Sequence, residues 1–190
     1  MTCSRLFCLR SAGILALAGI AHLAAAQTSS PSTQSGSDNT QQVAEWNGSV
    51  GERWAADQER TDRLIKAFGG AALAAAQAAP GEAVLDVGCG CGDTSLAAAR
   101  AVGGHGRVVG VDVSGPMLAV ARKRAAGLDN LAFVEADASA GALPGPFDLM
   151  ISRFGVMFFG DPAAAFTHLR AALKPAGRLA FVCWRTAGEN

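Results

Sequence analysis

A chain of 190 residues, half of them hydrophobic, suits one domain with ample material for a core. Sixteen basic residues balance sixteen acidic ones without a basic stripe, which argues against a nucleic-acid surface held mainly by phosphate contacts. Tyrosine is absent, so one common general acid, and the catalytic residue of several oxidoreductase families, is missing.

The first 26 residues read as a secretory leader: Arg5 and Arg10 form a basic start, an apolar run follows, and Ala24-Ala25-Ala26 before Gln27 offers a small-residue cleavage site. The run is too short for a stable membrane span, which takes about 20 apolar residues. A start codon placed too far upstream would give the same pattern. The protein would be exported or periplasmic in the first case and cytoplasmic in the second. Residues 27–42 are rich in Ser, Thr, Gln, Asn and Gly and nearly free of apolar side chains, which predicts a disordered linker and a folded domain over 43–190. Of the five cysteines, Cys3 and Cys8 lie in the leader, Cys89 and Cys91 in a glycine loop, and Cys183 in the last apolar run; this is neither a disulfide framework nor a zinc pattern, and no metal is expected.

Residues 45–79 have helical character, with Gly69-Gly70 as an expected break and Pro80-Gly81 as the turn into a strand. Trp46 and Trp54 are either packing aromatics or part of a cover over a ligand cleft. Val84, Leu85 and Val87 suit a buried parallel strand, tipped by Asp86, and Gly88, Gly90 and Gly92 then let the backbone turn sharply and approach a ligand closely. Asp93 or Thr94 is expected to cap the following helix. Residues 107–112 form a second buried strand ending in Asp112, placed to accept hydrogen bonds from both ribose hydroxyls of an adenosine. Its alternative is an acid interacting with the dipole of the helix over 115–126, which Ser114 can also cap. That helix turns Met117, Leu118, Val120 and Ala121 inward and Arg122, Lys123 and Arg124 to solvent. A third strand spans 131–135, a fourth 147–153, and a fifth 178–184 after a helix opened by Asp161-Pro162 and stopped at 173–177. His105 and His168 read as loop and packing residues.

The glycine spacing is D-x-G-x-G-x-G, with Asp93 where the dinucleotide fingerprint G-x-G-x-x-G has its third glycine. With the acids at 112 and 137 and the L-x-P-A-G turn at 173–177, it resembles the class I S-adenosylmethionine-dependent methyltransferases. Within that class it resembles the small-molecule type, similar to the ubiquinone and menaquinone biosynthesis methyltransferases.

The resemblance runs from about Trp46 to Trp184. It implies a Rossmann-like, doubly wound α/β parallel sheet of strand order 3-2-1-4-5, and methyl transfer from S-adenosylmethionine to a small-molecule acceptor. It implies a cofactor site made of Asp86, Gly88, Cys89, Gly90, Gly92, Asp112, Val113, Met117, Asp137, Ala138, Ser152 and Arg153. In that site Asp137 meets the exocyclic amine of adenine, the next backbone N–H meets a ring nitrogen, and Ser152 and Arg153 face the departing methyl group. The apolar run over 154–159 is either an acceptor wall or plain core. No residue stands out as a catalytic base. Such enzymes close the sheet with two further strands, for which the residues after Trp184 are too few. The expectation is therefore a C-terminally truncated domain with an exposed edge strand at 178–184, open to self-association. A nicotinamide-dependent oxidoreductase and a non-catalytic adenosine-binding fragment are the rival readings.

Overall fold

A computed structural model describes residues 39–185; the expected leader, and the linker up to residue 38, lie outside the described residues. The chain is already helical at Thr40, ahead of the expected domain start at 43, because α1 (Thr40–Asn47) opens there. Two further helices follow, α2 (Ser49–Ala56) and α3 (Gln58–Ala76). The expected break at Gly69-Gly70 is absent, and α3 runs straight through it. A Cβ on Gly69 would lie 3.2 Å from a guanidinium nitrogen of Arg153 and 3.3 Å from a methyl of Thr94, so this glycine serves close helix packing and not a turn. The helix ends instead at Gln77, in the left-handed conformation with φ of 49°.

Five strands follow, with helices between all but the third and fourth: β1 (Ala83–Val87), α4 (Asp93–Val102), β2 (Arg107–Asp112), α5 (Gly115–Arg124), β3 (Leu131–Glu135), β4 (Phe147–Arg153), α6 (Pro162–Ala171) and β5 (Leu173–Val182). A single 3-10 turn, Gly155–Phe158, follows β4. All strand pairs are parallel and the order is β3-β2-β1-β4-β5, the doubly wound arrangement that the sequence predicts. Central position explains the composition of β1: it is covered on both faces, all five residues are buried, and an apolar run is what such a strand requires.

Alternation along the strands feeds two cores. Leu85, Val87, Val109, Val111 and Met150 pack with Leu169 of α6 on one face. Val84, Val108, Leu149 and Ile151 pack with Ala98, Ala99 and Val102 of α4 and Ala76 of α3 on the other. Burying each of these larger side chains contributes about 1.5–3 kcal/mol before the entropy of ordering is counted.

The fifth strand departs from expectation in one detail. Leu173 already pairs with Phe147, four residues bulge out at 174–177, and the ladder resumes with Arg178 opposite Leu149, so the stretch expected as a helix stop is a bulge inside the strand. Two ion pairs pin this end of the sheet: Lys174 Nζ lies 2.7 Å from Asp148 Oδ1, and Arg178 reaches both carboxylate oxygens of Glu82 at 2.7 and 2.8 Å. The Arg178 hydrogen bond holds the Glu82 carboxyl below its usual range, and the Lys174 ammonium does the same for Asp148. No helix among the described residues is long and apolar enough to cross a membrane.

Candidate functional site

The loop leaving β1 owes its path to glycine. Gly88, Gly90 and Gly92 have φ of 68°, 54° and 84°, where a side chain is strained. A Cβ on Gly88 would lie 2.5 Å from the Cα of Gly155, so the loops after β1 and β4 touch backbone to backbone. Gly88 N and Cys89 N both donate to Val111 O, fixing the loop against the end of β2.

Asp112, at that strand end, accepts from Gly90 N at 2.8 Å on Oδ2 and from Ser114 N at 2.9 Å on Oδ1. An ionised Asp offers about four acceptor sites, so the carboxylate keeps acceptor capacity beyond its backbone donors. Burial raises the Asp112 pKa despite these donors. Asp137, beyond β3, accepts from Ser139 N at 2.8 Å and borders the same cavity.

One cavity at the carboxyl ends of the strands gathers Gly88, Cys89, Gly90, Asp112, Val113, Met117, Asp137, Ala138 and Arg153. Three expected residues do not border it. Asp86 shares a strand face with Val84, so its fully buried carboxylate points onto the first turn of α4, where Thr94 Oγ1 and Ser95 Oγ donate to Oδ2 at 2.7 and 2.6 Å and Oδ1 has no partner. Burial raises its pKa, against the pull of those two hydroxyls. Gly92 is the N-cap of α4 and backs onto Phe133 and Ala121; the expected caps do other work, since Thr94 serves Asp86 and Asp93 pairs with Arg153. Ser152, expected to face the methyl group, is buried, donating to Val87 O and accepting from Val156 N. Both loop thiols are buried, which raises Cys89 well above the usual thiol range and pushes Cys91 up to about 11, so neither is a ready nucleophile.

The opposite wall comes from the N-terminal helices. Trp46 and Trp54 pack edge to face with centroids 5.7 Å apart, and Trp46 meets Phe158 at 5.2 Å; all three border the cavity. Phe154, held at φ of 67°, stacks on Trp184 with centroids 4.6 Å apart and planes 6° apart. The run at 154–159 therefore divides: Phe154, Phe158 and Phe159 face the cavity, while Val156 is core. His168 Nε2 lies 2.8 Å from Gly141 O and His105 sits exposed in its turn, and neither borders the cavity.

Residues that the sequence does not single out complete the site: Gln58, Thr61, Asp62 and Ile65 of α3, with Trp184 after β5. Arg124, expected in solvent, is turned inward, its Nη1 donating to Cys91 O at 2.6 Å and its Nη2 lying 2.9 Å from Asp62 Oδ2. Its partner is 62 positions away, and no local pattern announces it.

Fold and site are of the kind found in S-adenosylmethionine-dependent methyltransferases, which the chain resembles in sequence over the sheet. The methyltransferase domain family matches residues 84–177. The chain is 38% identical over 104 residues to the aklanonic acid methyltransferase DauC of Streptomyces sp. (strain C5), covering 53% of this chain and 47% of that protein. It is 36% identical over 110 residues to a demethylmenaquinone methyltransferase of Staphylococcus aureus, covering 56% and 44%. The crystal structure of an S-adenosylmethionine dependent methyltransferase from Mesorhizobium loti aligns with TM-score 0.51 and 34% identity over 59% of this chain and 51% of that one. The chain spans about half the length of these curated relatives.

Proposed function

We propose that the protein transfers a methyl group from S-adenosylmethionine to a small, apolar acceptor. The observation that carries this is the convergence of Asp112 and Asp137, at the ends of adjacent strands, on one cavity beside the positive-φ glycine loop. Asp112 would accept from both ribose hydroxyls through its remaining lone pairs, Asp137 from the adenine amine, and the Ala138 N–H would meet a ring nitrogen. Gly88, Cys89 and Gly90 would present backbone, with Val113 and Met117 against the adenosine and Arg153 toward the charged amino-acid end. Asp86, Gly92 and Ser152 would act from behind, by holding the loop and the first turn of α4. Fit is supported by the acceptor capacity that Asp112 keeps beyond its backbone donors, at the cavity edge.

The donor's sulfonium makes its methyl group electrophilic. The protein's task is then to align the acceptor in line with it and to exclude water, for which well-oriented groups can supply ~7–11 kcal/mol. The aromatic wall of Trp46, Trp54, Phe158 and Trp184 suits an apolar acceptor, the chemistry named for the two curated relatives being that of small molecules. Calorimetry tests the reading: S-adenosylmethionine or its demethylated product should bind and NADH should not, and tight NADH binding with no methyl-donor binding would overturn it.

Two finer proposals accompany this one. Residues 1–26 would be removed on export, so that mass spectrometry finds Gln27 at the N-terminus; a form starting downstream, with no leader peptide detected, overturns it. The edge strand β5 would pair with a second copy through 178–182, seen as concentration-dependent sedimentation; a monomer at all concentrations overturns it.

A further inference from the structure

Four side chains form a closed ring of alternating charge at the cavity wall, which Asp62 and Arg153 border. Arg153 Nη1 lies 2.9 Å from Asp93 Oδ2 and its Nη2 lies 3.6 Å from Asp62 Oδ1. Arg124 Nη2 lies 2.9 Å from Asp62 Oδ2 and 3.7 Å from Asp93 Oδ1. Each acid thus bridges both arginines. The Arg153 side chain is 10% exposed and that of Asp62 17%, against 24% for Arg124 and 33% for Asp93, so the Asp62–Arg153 side of the ring is the better screened from solvent and salt. Asp93, Arg124 and Arg153 belong to the sheet and its flanking helices, close to the glycine loop. Asp62 alone comes from α3, in the N-terminal helical layer.

We infer that Asp62 is a positioning residue for the methyl donor: it clamps α3 onto the glycine loop and fixes the Arg153 guanidinium at the cavity wall. Although Asp62 itself borders the cavity, it acts by holding Arg153 and its own helix, whose Gln58, Thr61 and Ile65 border the same cavity. Removing its charge leaves two partly buried arginines sharing one carboxylate, an imbalance relieved by the turns of α3 around residue 62 moving outward. Ala76, at the far end of α3, stays in the core with Leu149 and Ile151, so the movement is confined to the turns around Asp62 and the fold survives while the donor site loosens. This inference rests on the cavity being the methyl-donor site.

The test is calorimetry with S-adenosylhomocysteine on the full chain, with steady-state kinetics for an acceptor that turns over. Asp62→Asn should weaken binding about tenfold or more and raise the donor KM, while kcat at saturating donor changes by less than about threefold. Glu59→Gln, which breaks only an exposed pair with Arg63 on the same helix, should leave affinity unchanged. In the double variant with Arg124→Gln the losses should be less than additive, because both substitutions open one ring. Affinity of Asp62→Asn within about twofold of wild type, or strictly additive losses, overturns the inference. Should Asp62→Asn fail to fold, hydrogen exchange on the wild type decides: the ligand should slow exchange across 58–65, and unchanged exchange there overturns the clamp. Wild type that does not bind S-adenosylhomocysteine would instead sink the donor-site reading itself.

Discussion

On the strand side of the cavity the lining groups stand at or just beyond strand ends: the Gly88 to Gly90 loop after β1, Asp112 at the end of β2, and Asp137 after β3. On the helix side they come from segments far apart in sequence, with Trp46, Asp62, Phe158 and Trp184 meeting only because α1 to α3 fold back over the sheet. The first wall is set by local backbone geometry on a rigid support. The second is set by side-chain contacts across long loops of chain, and is correspondingly easier to loosen without unfolding the protein.

The largest expected effect falls where the two loops of the strand side touch. A Cβ on Gly155 would lie 2.5 Å from Val87 O and 2.7 Å from the Cα of Gly88. Gly155→Ala must therefore move backbone, and urea unfolding should show a loss of about 3 kcal/mol, at the upper end for overpacking, together with loss of donor binding. Stability unchanged within about 0.5 kcal/mol would show the two loops to be yielding.

Asp112→Ala should cost roughly 1.5–3 kcal/mol of donor affinity by calorimetry, the usual worth of hydrogen bonds to a charged group, with little change in acceptor KM. Ribose hydroxyls favour the ionised carboxylate, and burial raises the Asp112 pKa in the free protein. Donor affinity should accordingly fall on acidification from a pH above the ordinary Asp value of about 3.9, and Asp112→Asn should lose this limb. An unchanged affinity in the alanine variant removes the ribose assignment.

Trp46→Ala tests the helix side. It deletes two edge-to-face contacts, each worth about 0.5–1.5 kcal/mol, and should raise the KM of an apolar acceptor while donor affinity stays within about twofold. A fall confined to donor affinity would mean that the two walls are not separate.

The smallest effect belongs to the far end of the sheet. The depressed pKa values of Glu82 and Asp148 contribute stability above the unfolded carboxyl values of about 4, lost as pH falls through the folded values. Lys174→Met should remove part of that acid sensitivity. These pairs are partly solvated, so the change should be under about 1 kcal/mol, read as a small shift in the acid-unfolding midpoint with cavity properties untouched.

The same division explains what the sequence discloses. Strand order follows from apolar runs alternating with helices and from the right-handed crossover rule, so residues 84–87, 107–112, 131–135 and 147–153 are legible as strands. Period-two alternation also fixes the faces of Asp86 and Ser152, but judging that their side chains go under the loop and not into the cavity requires knowing what covers each face. Gly69-Gly70 looks like a break because glycine is a poor helix former, yet the close approach of Arg153 gives Gly69 a packing role instead. Asp62 and Arg124 sit on helices as ordinary surface charges would, and only the folded chain shows them paired and turned inward.

The side chain of Asn47 joins the two walls. Its Nδ2 donates to Val113 O at 2.7 Å and its Oδ1 accepts from Gly115 N at 3.0 Å, while Ser114 Oγ donates to Trp46 O at 2.6 Å. The turn that follows Asp112 is thus stitched to the end of α1 by three hydrogen bonds. A protease that trims the chain past residue 47 would cut those stitches and spare every strand. The clipped protein would keep its secondary structure and lose its grip on the adenosine end of a ligand, and a bound ligand should in turn shield the α1 junction from cleavage.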